Sequence, residues 1–378
     1  MLTDAQVLVR DTARQFALAR LVPHSRAQEA AGAISSDVIE ELGSLGFLGM
    51  TVPESLGGAG LDYVSYGLAL MEIAAGDGAV STLMSVNNAP VCAILVTCGS
   101  PQQQERFLRP LATGQMIGAF ALTEPQAGSD AANLETSARR VPGGYVLNGT
   151  KQFITSGSIA GAAITFAVTD PAAGKRGISA FIVPTDRPGF RVGRLERKLG
   201  QKASDTAQLF YENVFVEDEL RIGAEGEGYR IALANLEIGR IGIAAQSVGM
   251  ASAALAHAIG YARERKAFGQ ALTDHQAVCF RLADMATELE AARHLVLHAA
   301  ALKDAGHRCL KEACMAKLFA SEHAERIASA AVQIFGGYGY VEDYLAEKIY
   351  RDVRVCQIYE GTSDIQRMII GREIVAAE

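Results

Sequence analysis

The sequence predicts an α+β multidomain fold: an N-terminal all-α domain (1–115), a middle antiparallel β domain (116–222) and a C-terminal antiparallel helix bundle (223–378). Apolar residues recur at helical spacing in the first and last parts of the chain. The middle part consists instead of short apolar or alternating runs between turn residues. A chain of 378 residues is also too long for one ordinary core, so two or three domains are expected.

The first part contains four helical patterns and a short fifth one that Pro101 opens. The four patterns span residues 4–21, 36–45, 63–75 and 80–97. The Gly-rich loop at 52–60 lacks the Gly-Lys-Ser/Thr ending of a phosphate-binding loop, and it is interpreted as a turn.

The middle part contains six strand patterns, at 117–122, 144–147, 163–168, 179–183, 190–192 and 206–216. No helical pattern alternates with them, which argues against a doubly wound dinucleotide fold. After the Gly-rich stretch 223–228, long helical patterns cover 229–265, 274–305 and 311–334, with shorter ones around Ala346 and Ile370. Long helices joined by short loops are typical of an antiparallel bundle.

Composition and charge narrow the class of protein. A formal net charge of -7 disfavours a nucleic-acid or anionic-membrane surface, because both require a basic field. The six cysteines form no Cys-x-x-Cys pair and are interpreted as reduced thiols of an intracellular protein. No signal-peptide pattern is visible at the N-terminus, so a cytoplasmic location is expected.

Two further patterns could indicate a membrane span and a metal site, but each is better explained as part of a helix. Residues 241–262 contain no Lys, Arg, Asp or Glu and could span a bilayer by length, but Ala, Gly and Ser dominate them, so a buried helix is expected. His294 and His298 have a spacing that can bind metal, yet no third ligand accompanies them. We expect a helix face there, and no metal site.

A single carboxylate near the C-terminus is the strongest candidate for chemistry. In residues 353–367 (VRVCQIYEGTSDIQR), Glu360 lies between the apolar Ile358 and Tyr359 on one side and Gly361 on the other. Scarce water would raise its pKa toward working pH, so that it could take a proton from a weak carbon acid. A surface Glu at a helix start remains the alternative.

Two segments of the middle part offer polar groups at turns. In residues 121–130 (ALTEPQAGSD), a Gly-Ser turn exposes N–H groups that suit a pyrophosphate, and Thr123 offers both a donor and an acceptor. Ordinary loop chemistry is the alternative. Residues 148–157 (NGTKQFITSG) form a turn, a strand and a second turn, and a core Phe153 beside a turn Thr155 remains possible.

Three segments of the last part of the chain are further candidates for binding or catalysis. Glu237 and Arg240 lie one turn apart on a predicted helix in 236–246 (LEIGRIGIAAQ). Their alternative to a functional role is an ordinary surface ion pair. Residues 263–269 (RERKAFG) could be a basic helix end. Residues 333–352 contain a Gly-Gly-x-Gly helix break that allows close backbone approach.

Together these segments resemble the acyl-CoA dehydrogenases, over essentially the whole chain and in the same α, β, α order. Residues 121–130 are similar to the first signature of the family, 333–352 to its second signature and 358–367 to its C-terminal catalytic segment. Asn133 is a departure, since the family usually has a small residue there. A subset of the family carries the catalytic Glu one residue before the Arg of 236–246; that position is Gly239 here, so the resemblance assigns the base to Glu360, as in the short- and medium-chain branches.

The resemblance also implies roles for individual residues. In the middle part, the resemblance assigns Leu122 and Thr123 to the flavin ring, Gly128 and Ser129 to the phosphates of FAD or of the substrate, and Phe153 and Thr155 to the isoalloxazine. In the last part, it assigns Arg265 and Phe268 to the pyrophosphate and adenine side of another subunit's FAD, and Gln333 and Gly337 to a partner's cofactor. Four more residues are assigned to cofactor binding without a specific role: Gln276, Gly336, Thr362 and Asp364. The substrate set comprises Ser129, Glu237, Arg240, Tyr359 and Gly361.

The implied activity is FAD-dependent oxidation of an acyl-CoA thioester to a trans-2-enoyl-CoA by a homotetramer built as a dimer of dimers. Electrons would pass to electron-transfer flavoprotein. Two alternatives remain open: an oxidase of the same fold that uses oxygen, and a non-catalytic relative that binds DNA, which the acidic charge disfavours. The helices around 83–95 and 236–249, which include Asn87, Asn88 and Gly242, are expected to line the acyl pocket, but their sequence does not predict acyl length.

Overall fold

The computed structural model describes residues 2–376, in which two helical parts enclose a β-sheet in the predicted order α, β, α. The first part contains α1 (Asp4–Phe16), α2 (Ser25–Ala31), α3 (Ser36–Ser44), α4 (Tyr63–Gly76), α5 (Gly78–Val86), α6 (Ala93–Cys98), α7 (Pro101–Gln103) and α8 (Arg109–Ala112). The third part contains α9 (Gly228–Glu264), α10 (Gln276–Asp304), α11 (Leu310–Phe335), α12 (Ala346–Val353) and α13 (Ser363–Ala376). The predicted fold class is confirmed.

Side-chain caps explain where several helices begin. Thr3 and Gln6 form a capping box at the start of α1. Asp62 accepts a hydrogen bond from the N–H of Ser65 (2.7 Å) at the start of α4. Asp77 accepts from the N–H of Ala79 (2.8 Å), so α5 begins two residues before the predicted start.

The helix predicted over 80–97 is interrupted by a π-helical stretch, Asn87–Cys92. The amide of Asn87 donates to the carbonyls of Leu48 (2.9 Å) and Leu111 (3.0 Å) and accepts from the N–H of Gly118 (3.0 Å). Asn88 is tied in the same way to the chain around residues 47–50. These asparagines therefore hold neighbouring segments together and have their amide groups engaged by the protein itself.

The sheet contains β1 (Gly118–Ala121), β2 (Ser137–Val141), β3 (Gly144–Thr155), β4 (Ala162–Val168), β5 (Ile178–Pro184), β6 (Phe190–Leu195), β7 (Thr206–Glu217) and β8 (Arg221–Ile222). Its order is β6-β7-β3-β2-β4-β5-β8, with β1 paired to β4. Most pairs are antiparallel as predicted, but β1 and β2 both run parallel to β4. A short hairpin, β9 (Lys266–Ala267) and β10 (Gln270–Ala271), follows α9.

Strand β2 was not predicted, and its sequence explains why. In SARRV only Ala138 is buried, so the strand lacks the alternation that marks a half-buried strand. Strand β3 continues eight residues past its predicted end at 147, through the polar run that was taken as a turn and a new strand.

Close packing of α9 brings the two helical parts together. A Cβ at Gly249 would lie 2.1 Å from the carbonyl oxygen of Met71 in α4, so only glycine allows this approach. One apolar core, which includes Leu70, Ile241 and Ala328, spans both helical parts, and a second lies between the sheet and α6–α8.

Two helical stretches, Gly78–Cys98 and Gly228–Glu264, are long and apolar enough to cross a membrane, but 94% and 83% of their most apolar windows are buried inside the protein. They are core helices. All six cysteines are free, and four of them are buried: Cys92, Cys309, Cys314 and Cys356.

Candidate active site

Glu360 lies in the turn between the helical turn Arg354–Gln357 and α13. Its φ is +52°, and that of Gly361 is +93°, so two successive residues have left-handed backbone geometry. This geometry is unfavourable for a Glu, and such strain tends to persist where the surrounding structure holds it in place. The surface helix start considered as an alternative for Glu360 is excluded, because its carboxylate points inward.

The carboxylate of Glu360 lies against the backbone of α9. A Cβ at Gly239 would lie 2.1 Å from Oε2 and 2.9 Å from Cδ of Glu360, so the missing side chain of Gly239 makes room for the carboxylate. Although Glu360 is only partly buried as a residue, its Oε2 is sealed from solvent and has no hydrogen-bond partner among the described residues.

Burial raises the pKa of Glu360 to about 7, and the positive charges of Lys317 and Arg240 act in the opposite direction. A carboxylate with a pKa near neutral pH can take up a proton and still be ionised in a useful fraction of molecules.

Two side chains hold the turn that carries Glu360. Lys317 in α11 donates from Nζ to the carbonyl oxygen of Gly361 (2.6 Å). Gln366 in α13 donates from Nε2 to the carbonyl oxygens of Glu360 (3.2 Å) and Gly361 (2.9 Å). The left-handed backbone is therefore held from two helices.

Tyr359, a predicted substrate residue, points its hydroxyl to Gln246 in α9 and donates to Oε1 of that residue. Gln246 in turn donates from Nε2 to the hydroxyls of Ser81 (2.7 Å) and Thr82 (2.5 Å) in α5. Burial raises the pKa of Tyr359, so its hydroxyl stays protonated. Its role in substrate binding stays a prediction.

One turn along α9 from Gly239, the helix packs tightly on α4 and α5. A Cβ at Gly242 would lie 2.7 Å from Oγ of Ser85 and 2.8 Å from the hydroxyl of Tyr66. The Tyr66 hydroxyl donates to Ser85 Oγ (3.3 Å), and both residues are buried. Only glycine at position 242 therefore allows α9 to approach α4 and α5 this closely.

Glu237 and Arg240 do not form the surface ion pair that was the alternative for this segment. Glu237 accepts from Lys303 Nζ (3.0 Å) in α10 and from Cys309 Sγ (3.4 Å). Arg240 is buried, and its Nε has no hydrogen-bond partner in the described part of the chain. An orphaned buried guanidinium nitrogen suits a polar or anionic ligand.

The two segments of the middle part that were predicted to bind the cofactor, 121–130 and 148–157, lie side by side. Lys151 in β3 donates from Nζ to Oε1 of Glu124 (2.6 Å) and to the carbonyl oxygen of Leu122 (3.0 Å), and both charged groups are buried. The N–H of Gln152 donates to the carbonyl oxygen of Thr123 (2.9 Å). Burial, only partly opposed by Glu124, lowers the pKa of Lys151 to about 8.

The ring of Phe153 projects from this strand. The pairing of β3 with β7 is irregular between Lys151 and Ile154, φ of Phe153 is +58°, and the residue is 61% exposed. Bulges re-aim side chains next to active sites. Thr155 follows at the end of β3 and is partly buried, whereas Gly128 and Ser129 are exposed on the adjoining loop.

Comparison with known proteins identifies the family. The acyl-CoA dehydrogenase N-terminal, middle and C-terminal domain families match residues 3–115, 119–214 and 226–375. The chain belongs to the acyl-CoA dehydrogenase family. It is accordingly a flavoprotein oxidoreductase of a family that uses FAD, and the predicted family and cofactor are confirmed.

Relatives of this acyl-CoA dehydrogenase cover nearly its whole length. An acyl-CoA dehydrogenase of Bacillus subtilis is 48% identical over 99% of this chain and 98% of its own. The mitochondrial short-chain specific acyl-CoA dehydrogenase of Rattus norvegicus is 45% identical over 99% of this chain and 91% of its own.

Solved structures of similar fold also belong to proteins that act on acyl-CoA or that were studied with electron transferring flavoprotein. Butyryl-CoA dehydrogenase from Megasphaera elsdenii has a TM-score of 0.96 at 42% identity, with 99% of each chain covered. A chain from a study of the electron transferring flavoprotein of Acidaminococcus fermentans has a TM-score of 0.98 at 43% identity, also with 99% of each chain covered.

The remaining predicted cofactor residues of this acyl-CoA dehydrogenase lie on the surface of its third part. Arg265, Gly336 and Gly337 line one open groove of about 430 Å³ together with Tyr261, Phe335 and Tyr338. Phe268 at the tip of the hairpin is 99% exposed. Gln276, Gln333 and Asp364 are exposed, and Thr362 is partly buried.

These residues fit FAD. An exposed aromatic ring beside the fixed Leu122–Thr123 backbone suits stacking on the flavin ring, and Arg265 suits a pyrophosphate. A Cβ at Gly336 or Gly337 would meet nothing within 4 Å, so their groove is open to a ligand. The lining of this groove includes no residue of 121–130 or 148–157, and hence the two sets of cofactor residues form separate surfaces of the chain.

Some residues of the site were not found from the sequence. Lys151, Gln246 and Lys317 were given no role, because a single polar residue among apolar neighbours on a helix or strand gives no local motif. The signal that could have found Lys317 is its spacing, since it lies on the same face of α11 as the buried Ala313 and Ala320. Among residues 2–376, no group of three His, Cys, Asp or Glu side chains is placed to hold a metal ion, and His294 contacts Glu290 (3.2 Å).

Proposed function

We propose that this chain is a short-chain acyl-CoA dehydrogenase that converts an acyl-CoA thioester to a trans-2-enoyl-CoA, with Glu360 as the base. The observation that carries the proposal is the sealed, unpartnered carboxylate oxygen of Glu360, with its pKa near 7, against the bare backbone of Gly239. Such a group serves proton abstraction and has no structural partner that would explain it otherwise.

In this reaction Glu360 takes the α-proton of the thioester onto a carboxylate oxygen. When bound, FAD supplies the acceptor for the β-hydrogen, which leaves as a hydride. The N–H of Glu360 has no acceptor in the part of the chain that the structure describes, so it is free to polarise the thioester carbonyl oxygen. Arg240, buried near the carboxylate, adds a positive charge that favours its ionised form.

The cofactor residues divide into two groups in this proposal. Leu122, Thr123, Gly128, Ser129, Phe153 and Thr155 hold the FAD of their own subunit, with Thr362 and Asp364 near it. Arg265, Phe268, Gln276, Gln333, Gly336 and Gly337 reach the FAD of a neighbouring subunit in a homotetramer. Ser129, Glu237, Arg240, Tyr359 and Gly361 contact the acyl-CoA. The domains 1–115, 116–222 and 223–378 meet around these groups, and we place the enzyme in the cytoplasm.

Two observations support a short acyl chain. The relatives at 40–48% identity include several named as short-chain specific. At Gly242, one turn along α9 from Gly239, contact with Ser85 and Tyr66 leaves no room for a side chain, and such close packing favours a short acyl chain.

Replacement of Glu360 by Gln tests the proposal. Glu360→Gln should keep its yellow flavin, but the flavin should bleach about 10² to 10⁴-fold more slowly when butyryl-CoA is added without oxygen, because a general base contributes about that factor. Glu40→Gln makes the same change on the exposed face of α3 and should bleach like the wild type. Unchanged bleaching in Glu360→Gln would remove Glu360 from the mechanism.

We further propose electron-transfer flavoprotein as the electron acceptor, which the similarity to a chain from an electron-transferring-flavoprotein study supports. Enzyme reduced by butyryl-CoA should regain its yellow colour in seconds with electron-transfer flavoprotein and far more slowly in air. Stoichiometric peroxide formation in air at the turnover rate would instead identify an oxidase.

A further inference from the structure

Lys317 is a buried cation without a carboxylate partner. Its exposed fraction is 0%, and within residues 2–376 no Asp or Glu oxygen lies within 4.0 Å of its ammonium group. Burial of an unpaired charge is costly, and such groups are rare away from functional sites. The other fully buried lysine, Lys151, does have a carboxylate partner, Glu124.

The one hydrogen bond that the Lys317 side chain makes in the described structure is to the turn that carries Glu360, the proposed base. Its Nζ lies 2.6 Å from the carbonyl oxygen of Gly361, next to Glu360. Gln366 donates to the same oxygen from the opposite helix (2.9 Å). Since both Glu360 and Gly361 have positive φ, this carbonyl would be free to turn away if its donors were lost.

Few charged or titratable groups face this pair. Lys317 from α11 and Arg240 from α9 act on Glu360, and the hydroxyl of Tyr66 from α4 lies near it. Around Lys317 itself are Cys314, Cys356, Arg240 and Glu360. Burial lowers the pKa of Lys317 to about 8, so at neutral pH its ammonium group is mostly charged.

We propose that Lys317 is a positioning residue for this reaction: its ammonium group fixes the Glu360–Gly361 turn, and its charge favours the ionised carboxylate that accepts the α-proton. The inference rests on the proposed function, in which Glu360 is the base. A purely structural lysine would stabilise the fold but leave the pH dependence of proton abstraction unchanged.

The sign of the pH effect follows from the charges. A positive charge beside Glu360 favours the carboxylate over the acid, so it lowers the pKa of the base. Flavin bleaching by butyryl-CoA should therefore increase as the pH rises through about 7 in the wild type. Loss of the charge should move this rise to higher pH, by about 1 unit.

Three variants separate the charge from the hydrogen bond. Lys317→Gln removes the charge and keeps a donor, Lys317→Met removes both, and Gln366→Met removes the second donor without a change of charge. We expect a higher midpoint of the bleaching rate against pH in both Lys317 variants. We expect an approximately tenfold lower rate on the alkaline plateau in Lys317→Met and Gln366→Met. Lys311→Met, on the partly exposed face of the same helix, is the matched control.

A wild-type midpoint in both Lys317 variants would overturn the inference, as would a wild-type plateau in Lys317→Met. Flavin content and melting temperature show whether each variant is folded, and Lys317→Gln carries the test if Lys317→Met does not fold. Failure of the proposed function is recognised separately: Glu360→Gln would then bleach at the wild-type rate. If Glu360→Gln is slow and the Lys317 variants behave like the wild type, only the inference on Lys317 fails.

Discussion

At the scale of single residues, an absent side chain makes room for the carboxylate of Glu360, the proposed base. Gly239 occupies the position at which some family members carry their catalytic Glu, and its Cα faces the carboxylate of Glu360. A side chain at position 239 and the carboxylate of Glu360 would therefore compete for the same space.

Gly239→Ala tests this arrangement. The new Cβ would lie 2.1 Å from Oε2 of Glu360, so the carboxylate must move by about 1 Å to restore an ordinary contact distance. A misplacement of about 1 Å can cost on the order of 10²-fold in rate, and we expect bleaching by butyryl-CoA to slow by about that factor. The variant should still fold and bind FAD, because alanine is the better helix former.

Gly260→Ala provides the matched control, since Gly260 lies on the same helix and a Cβ there would meet nothing within 4 Å. Both variants gain about the same helix propensity, so a difference in bleaching rate reports the contact with Glu360 alone. Equal rates in the two variants would show that the carboxylate does not lie at Gly239 during the reaction.

Residues with a local sequence pattern were predictable, and those defined by distant contacts were not. Glu360 stands between apolar residues and a glycine, which suggested its raised pKa. Lys317 acts on the same turn from 44 residues away in sequence, and nothing beside it or beside Gln366 marks the hydrogen bonds that they donate. Their roles depend on how α11 and α13 pack, which only the structure shows.

At the scale of elements, the helices were predicted closely because their apolar periodicity is long and regular. The sheet was predicted less completely. Parallel pairing of β1 and β2 with β4 is a property of partners far apart in sequence, and the polar β2 has no clear period of its own. The irregular pairing of β3 and β7, which turns Phe153 out of the sheet, also depends on partners far apart in sequence.

The buried pair of Lys151 and Glu124 shows how one element supports the next. Glu124 also accepts from the N–H groups of Glu135 (2.7 Å) and Thr136 (3.1 Å), so the segment after β1 is fixed to both β3 and the start of β2. The loop that carries Leu122 and Thr123 is thereby rigid on one side, while Gly128 and Ser129 stay exposed on the other. A rigid backbone beside an exposed turn suits a site that holds a ring and a phosphate chain.

At the scale of the whole molecule, a polar network joins all three parts of the chain and ends at Tyr359, next to Glu360. Its members, in order, are Ser25, Asp77, Lys348, Asp352, Gln201, Thr82, Gln246 and Tyr359. Lys348 is the only cation among these eight residues, at 2.6 Å from Asp352 and 3.5 Å from Asp77. Burial and the charge of Asp77 raise the pKa of Asp352 in spite of this lysine.

Lys348→Met should therefore destabilise the whole protein, because it leaves two buried carboxylates without a cation. Removal of one partner of a buried ion pair costs about 3–5 kcal/mol. The sequence contains no Trp, so unfolding in urea is best followed by far-UV circular dichroism together with flavin fluorescence. Since the network spans all three parts, both transitions should move to lower urea concentration together.

The double variant Lys348→Met/Asp352→Asn identifies the cause of the loss. The introduced asparagine would be neutral but keep an oxygen for the N–H of Gln201, so it removes one of the two uncompensated charges. We expect the double variant to be more stable than Lys348→Met alone, a coupling typical of residues in one network. Equal stability of the two variants would show that the charge of Asp352 does not cause the loss, and a shift confined to flavin fluorescence would show that the network does not join the three parts energetically.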